Sequence, residues 1–157
     1  MKKAFKIFVV VTFVVYVLVL VRLVFMGSRG FWRDMSIWEY ALARMNLVPF
    51  KTIVGYIKAI INDSMNLSIP LANLFGNLLM FLPMGIYLPW LFQKLDSWKK
   101  YLTAILVILF GVEIVQLLTK LGSFDIDDLI LNMTGALMGF VLWKTTLVQC
   151  LKRMVWD

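Results

Sequence analysis

The chain has 157 residues, of which 62% are apolar and 16% charged, and its formal net charge is +7. Soluble domains carry more charge and less apolar material, so this composition excludes an ordinary soluble protein and indicates an integral membrane protein. The length leaves room for about four spanning helices of roughly 20 residues each, with little left for a second domain. We expect one all-α membrane domain over residues 1–157.

The residue inventory excludes several kinds of site. The basic residues are scattered over the chain rather than gathered in a stripe with stacking aromatics, so nucleic acid is not an expected partner, and anionic lipid headgroups account better for the charge. The chain contains no histidine, and Cys150 is its one cysteine. A zinc site of the usual ligands, a Ser-His-Asp triad and an internal disulfide are therefore excluded, and the sequence identifies no cofactor.

Four apolar segments predict four transmembrane helices. They are residues 7–26, 70–92, 101–119 and 129–147. Lys2, Lys3 and Lys6 precede the first segment, but its apolar run is too long for a secretory signal and no small-residue cleavage pattern follows it, so we expect an uncleaved span. Pro83 lies in the middle of the second span and predicts a kink there, unless neighbouring groups satisfy the backbone.

Basic residues near the span ends predict the orientation. One set falls on a single side of the membrane and comprises Lys2, Lys3, Lys6, Lys94, Lys99, Lys100, Lys144, Lys152 and Arg153. The positive-inside rule then places both termini in the cytoplasm. The first loop, residues 27–69, puts Arg29, Arg33, Arg44, Lys51 and Lys58 on the outer side, but long loops cross the membrane with less regard for charge.

The first loop contains an amphipathic pattern. Apolar residues recur at helical spacing at Phe50, Ile53, Val54, Ile57, Ile60 and Ile61, whereas Lys51, Thr52, Lys58 and Asn62 fill the other side. We predict a helix between the first two spans that lies in the membrane interface, a depth that also suits Trp32 and Trp38. The alternative is a helix packed over the bundle as a lid, because both arrangements need the same one-sided pattern.

Three of the spans each carry a polar face. Residues three or four positions apart share one side of a helix, which pairs Asn73 with Asn77, Glu113 with Gln116, and Asp128 with Asn132. Faces of this kind predict one buried polar cluster. Its members are Asn73, Asn77, Glu113, Gln116, Asp125, Asp128 and Asn132.

Simpler roles are open for several of these residues. The two asparagines are also typical of interhelical hydrogen bonds that only hold a bundle together. Asp125 and Asp127 could belong to a solvated outer loop, and Asp128 could cap its helix. For Glu113 we favour a functional role, because an ionised carboxylate at that depth needs a cation, a proton or several donors.

A stripe of small residues predicts close packing of the last span. Gly135 and Gly139 are four residues apart, the spacing of the small-xxx-small pattern. Pro83 and Gly85 are the helix-packing positions expected on the second span.

Four blocks of the sequence resemble the VanZ-like family of small bacterial membrane proteins. They are NLVPFKTI at residues 46–53, NLFGNLLMFLPMGIYLPWLF at 73–92, GVEIVQLL at 111–118 and GSFDIDDLILNMTGALMGF at 122–140. The positions that carry the match are Asn73, Asn77, Pro83, Gly85, Glu113, Gln116, Asp125, Asp128, Asn132 and Gly135. The resemblance covers about residues 46–140, and the first span and the C-terminus match nothing specific.

The resemblance implies a place in a bacterial cell membrane, and the family's founding branch is associated with resistance to the glycopeptide teicoplanin. We expect a protein that alters drug access or the lipid-linked target at the outer face, with membrane lipids and a glycopeptide or a lipid-linked cell-wall precursor as partners. No catalytic residues are identified, and a role without catalysis is favoured.

Two other classes of function stay open from the residues. In a small enzyme of lipid or envelope precursors, Glu113 or Asp128 would act as general acid or base. In a proton- or cation-coupled transporter or ion-binding module, the same carboxylates would take up the ion. The four spans show no evident inverted repeat, so transport would need a homo-oligomer.

Overall fold

The structure is a computed structural model that describes residues 2–25 and 34–145. Several residues used above lie outside this part of the chain: Met26, Arg29, Trp32, Arg33, residues 146–147, Cys150, Lys152 and Arg153.

The described residues form six α-helices and two very short strands. In chain order these are α1 (Lys2–Val24), α2 (Ile37–Arg44), β1 (Met45–Asn46), α3 (Lys51–Ile61), α4 (Ser68–Leu91), α5 (Trp98–Thr119), β2 (Phe124–Asp125) and α6 (Ile126–Trp143). A short 3-10 turn, Gln93–Asp96, links α4 to α5. Helices α1, α4, α5 and α6 are long and apolar enough to cross a membrane. The predicted all-α membrane fold with four spans is confirmed.

Helix α6 begins and ends earlier than the predicted span 129–147. The Asp125 side chain caps its first turn by accepting a hydrogen bond from the backbone N–H of Asp127 at 2.9 Å. Because this cap starts the helix at Ile126, both Asp127 and Asp128 lie in its first turn rather than in a loop. The helix ends at Trp143, and Lys144 is its C-terminal cap.

Most of the apolar core occupies the half of the bundle that contains the C-terminal parts of α4 and α6 and the N-terminal part of α5. Its buried members are Leu20, Phe81, Met84, Leu88, Tyr101, Ile105, Leu109, Ala136, Phe140 and Trp143. Tyr101 stacks on Phe140 with ring centroids 4.2 Å apart, and its hydroxyl donates to the carbonyl oxygen of Ala136 at 3.0 Å. Apolar packing thus fills one end of the bundle and leaves polar residues for the other.

Helices α4 and α6 approach so closely that their glycines touch the opposite backbone. A Cβ added at Gly135 would meet the carbonyl oxygen of Leu78, and one at Gly139 would meet that of Leu82. Gly85 on α4 lies in the same way against the backbone of Ala136 and Phe140 on α6. The absence of side chains at these positions is what lets the two helices pack at backbone contact distance.

The segment between α1 and α4 folds into more structure than one helix. Helix α2 begins with a capping box in which Ser36 and Glu39 bond reciprocally. Strand β1 then pairs in parallel with β2, with Met45 opposite Phe124 and Asn46 opposite Asp125. This pair brings the start of α3 beside the start of α6.

The predicted amphipathic helix is present as α3, and its apolar stripe is divided between two environments. Ile53 and Ile60 are partly buried along the edge that carries buried Ala59, whereas Val54, Ile57 and Ile61 are exposed. Phe50 precedes the helix in a left-handed conformation with φ 65° and is also exposed. Helix α3 therefore contacts the bundle along one edge and presents its other apolar edge outward.

Candidate functional site

The polar faces predicted on α4, α5 and α6 lie at one end of the bundle, and most of their residues line a common cavity. The cavity has a volume of about 230 Å³. Its lining is Leu23, Val24, Arg44, Asn73, Asn77, Met80, Val112, Glu113, Gln116, Leu121, Gly122, Ser123, Asp128 and Asn132. Six of the seven residues of the predicted cluster are in this lining, and Asp125 is outside it.

Glu113 connects the cavity to the start of α6. Its side chain is 2% exposed, and its Oε2 accepts a hydrogen bond from the backbone N–H of Asp125 at 3.1 Å. Gln116, one turn further along α5, donates from Nε2 to the carbonyl oxygen of Val24 at 2.9 Å. The polar face of α5 therefore holds both α6 and the end of α1, since its two side chains bond to backbone groups of each.

Asp128 connects α6 to α4. Its Oδ1 accepts a hydrogen bond from Nδ2 of Asn77 at 2.5 Å. Asn132 follows one turn later on the same face and is 6% exposed. Asn73 also lines the cavity, although its Nδ2 donates to the carbonyl oxygen of Ile69 in its own helix at 2.9 Å. The face of α6 thus points carboxylate and amide groups toward α4.

The interpretation of Asp125 and Asp127 as a solvated loop is wrong. Asp125 is 8% exposed and Asp127 is 0% exposed. Asp127 accepts hydrogen bonds from the backbone N–H groups of Phe50, Thr52 and Ile53 at 2.5, 2.7 and 3.1 Å. These groups form the first turn of α3, so the carboxylate caps a helix more than seventy residues away in the chain.

Asp125 completes the attachment of α3. Its two carboxylate oxygens accept from the Thr52 hydroxyl at 2.7 Å and from Nδ2 of Asn46 at 3.0 Å. The same Asn46 group also donates to the Thr52 hydroxyl at 3.0 Å. Asp125 and Asp127 are therefore positioning residues that fix α3 over the cavity end of the bundle, and Asp125 also contacts Glu113 through its backbone.

Tyr56 on α3 lies close enough to Asp125 and Asp128 for their charges to affect its pKa. Burial raises the pKa of this phenol, and the negative charges of Asp128 and Asp125 raise it further. Tyr56 therefore stays protonated in the neutral pH range.

Several residues of this end of the bundle were not predicted. Asn46 and Thr52 lie in the block at residues 46–53 that resembles the family's first loop, and this was the available signal for them. Tyr40, whose hydroxyl donates to the carbonyl oxygen of Gly122 at 2.6 Å, carries no such signal. Arg44 lines the cavity and was predicted only as a charge of the outer loop.

The lining suits binding by hydrogen bonds and charge. Within residues 2–25 and 34–145 there is no group of three or more histidine, cysteine, aspartate or glutamate side chains placed to hold a metal ion. The cavity instead combines two carboxylates, a guanidinium and four side-chain amides: Glu113, Asp128, Arg44, Asn73, Asn77, Gln116 and Asn132.

Comparison with known proteins gives one family. A family model described as VanZ/LLP1 matches residues 13–149. The chain is 28% identical over 109 residues to "Protein VanZ" of Enterococcus faecium, an alignment that covers 69% of this chain and 58% of that protein. The chain thus spans less than two thirds of this relative's length. No solved structure matches the chain significantly.

Proposed function

This chain belongs to the VanZ/LLP1 family, and from that premise we propose that it acts at the outer face of a bacterial cell membrane. There its cavity binds the headgroup of a membrane lipid and so limits the access of lipid-tailed glycopeptides, such as teicoplanin, to their lipid-linked target. The observation that carries this proposal is the polar cavity at one end of an otherwise apolar bundle. Buried ionisable groups at such depth are costly and are kept where they serve a ligand or an ion.

The side of the membrane follows from charge. The cavity lies where α1 and α5 end and where α4 and α6 begin. The lysines at the other end of the bundle are Lys3, Lys6, Lys94, Lys99, Lys100 and Lys144. The positive-inside rule places that basic end, and both termini, in the cytoplasm, so the cavity faces outward.

The size of the cavity favours a headgroup over a whole drug. Pockets that enclose drug-sized ligands have volumes of roughly 300–1,000 Å³, and this cavity holds about 230 Å³. A glycopeptide is larger than a typical drug. The protein therefore acts on the lipid surface that the antibiotic must reach, rather than by enclosing the antibiotic.

Helix α3 supports a place in the outer interface. Its outward apolar edge consists of Val54, Ile57 and Ile61, and Trp38 and Leu42 on α2 are also exposed apolar side chains. An amphipathic helix with flanking lysines suits the boundary between headgroups and acyl chains. Because Asp125 and Asp127 fix this helix to α6, the cavity mouth is held at headgroup depth.

Susceptibility to teicoplanin tests the proposal. A sensitive Gram-positive host would express the wild type, the double variant Glu113→Gln/Asp128→Asn, or Thr134→Val as a matched control, at equal membrane levels. Thr134 is on α6 but is exposed, and among the described residues its hydroxyl bonds only to the carbonyl oxygen of Ile130 in its own helix. We expect the wild type and the control to raise the inhibitory concentration, and the double variant to lose this effect because amides replace both carboxyl groups of the cavity.

The other outcomes contradict the proposal in different ways. Equal protection by the wild type and the double variant would move the activity from the cavity to α3 or the surface. No protection by any of the three proteins would contradict a role in glycopeptide resistance, and lipid-substrate and transport assays would then test the enzyme and transporter hypotheses.

A further inference from the structure

We propose that the cavity recognises a zwitterionic lipid headgroup that carries a primary ammonium close to a phosphate. This inference rests on the proposed function and names the class of headgroup. The cavity lining has hydrogen-bond capacity that the described residues leave unused, and it contains both acidic and basic side chains.

Asn132 supplies the observation that points to a ligand. Its side chain is 6% exposed and lines the cavity, and no donor of the described residues reaches its buried Oδ1. A buried carbonyl oxygen without a donor destabilises the folded protein. A ligand with an N–H or O–H group in the cavity would remove that destabilisation.

Two carboxylates add further acceptors in the same lining. The hydrogen bonds among the described residues use Oε2 of Glu113 and Oδ1 of Asp128, which leaves Oε1 and Oδ2 for a ligand. A primary ammonium has three N–H donors and no acceptor, so it can satisfy three acceptors at once. Its positive charge also compensates buried carboxylates, which a neutral donor such as a hydroxyl does not.

Arg44 adds a basic side chain to the cavity lining, so the cavity can bind an anionic group as well as a cationic one. Arg44 is the basic residue in the described lining, and a guanidinium binds phosphate through paired N–H donors. A headgroup with both an ammonium and a phosphate is complementary to both signs of charge. The apolar lining residues Leu23, Met80 and Val112 suit the glycerol and the start of the acyl chains.

Native mass spectrometry of the full chain in detergent tests this inference. The probes are phosphatidylethanolamine, which has the three donors, phosphatidylcholine, whose methylated ammonium has none, and phosphatidylglycerol, which has the phosphate without the cation. We expect phosphatidylethanolamine to bind about tenfold or more tightly than either of the others. A buried acceptor set rejects phosphatidylcholine because its headgroup has no donors, and phosphatidylglycerol lacks the positive charge that compensates buried carboxylates. Excess glycerophosphoethanolamine should displace it, which would separate headgroup recognition from acyl-chain binding.

Variants test whether the cavity residues cause the preference for phosphatidylethanolamine. Asn132→Leu and Glu113→Gln should each reduce the preference for phosphatidylethanolamine over phosphatidylcholine about tenfold, whereas Asn132→Asp, which keeps an acceptor, and the exposed control Thr134→Val should retain it. Equal binding of the two lipids by the wild type would overturn the inference, and so would a preference that survives both Asn132→Leu and Glu113→Gln. The wild-type comparison alone decides the matter if a variant fails to fold.

The binding assay contains no antibiotic, so its result is separate from that of the susceptibility assay. A phosphatidylethanolamine preference without protection from teicoplanin would overturn the proposed function and support the headgroup site. Protection without any headgroup preference would overturn the headgroup site and support the proposed function.

Discussion

Asp127 is a fully buried carboxylate whose hydrogen bonds belong to another helix. The backbone N–H groups of Phe50, Thr52 and Ile53 reach its two oxygens, so its negative charge lies at the positive end of α3. A buried carboxylate without donors would be strongly unfavourable. The three donors explain how the chain keeps this acid in its interior.

Replacement of Asp127 by alanine should release α3. Hydrogen bonds to charged groups contribute about 1.5–3 kcal/mol each, so we expect the free energy of unfolding to fall by at least about 2 kcal/mol. Hydrogen exchange at the Thr52 and Ile53 amides should accelerate, because these amides lose their acceptor. The control is Asp63→Asn, an exposed acid beyond the other end of α3 whose left-handed φ of 48° asparagine tolerates. If the Thr52 and Ile53 amides exchange as slowly in Asp127→Ala as in the wild type, the Asp127 carboxylate does not hold α3 in place.

The sequence predicted six polar residues of the cavity but not the function of the acids beside it. Helical spacing is a local property, and it was enough to predict that Glu113, Asp128 and Asn132 would each lie on a polar helix face. The role of Asp127 depends on contacts with residues 50–53, and spacing within one helix carries no information about such distant partners. The sequence therefore could not predict that Asp125 and Asp127 are buried, and the structure was needed to show it.

Among the elements, the four long helices were predictable because each needs only an apolar run long enough to cross a membrane. Helix α2 and the β1–β2 pair were not predicted. Both are short, and the strands are two residues each and pair across about half of the chain. Helix α4 continues through Pro83 and also through Pro89, which sequence reasoning did not single out. The kink at Pro83 stays a prediction.

The contact between α4 and α6 gives a prediction with a matched control. In Gly135→Ala the new methyl group would fall on the carbonyl oxygen of Leu78, and backbone cannot move aside as a flexible side chain can. We expect a loss of about 1–3 kcal/mol and a lower thermal midpoint of the detergent-solubilised protein. Gly111→Ala adds the same methyl group on α5, where no described atom lies within 4 Å, and should be neutral or stabilising by up to about 1 kcal/mol. Equal midpoints for the two variants would contradict close packing at Gly135.

The whole molecule has two chemically different ends. Aromatic and aliphatic side chains fill the end that carries most of the span-flanking lysines, and the cavity with its attached helix α3 occupies the other. This polarity makes orientation decisive for the proposed function. A headgroup cavity can limit the access of an external drug only if the cavity end faces outward.

Labelling of single cysteines by a small membrane-impermeant thiol reagent on intact cells would show which end of the bundle faces outward. In a Cys150→Ser background, Asp63→Cys reports the exposed end of α3, Ser123→Cys reports the cavity lining, and Lys94→Cys reports the basic end. We predict labelling of Asp63→Cys and Ser123→Cys in intact cells, and of Lys94→Cys only after the membrane is permeabilised. Labelling of Lys94→Cys in intact cells, with the other two protected, would place the cavity in the cytoplasmic half and contradict the proposed function.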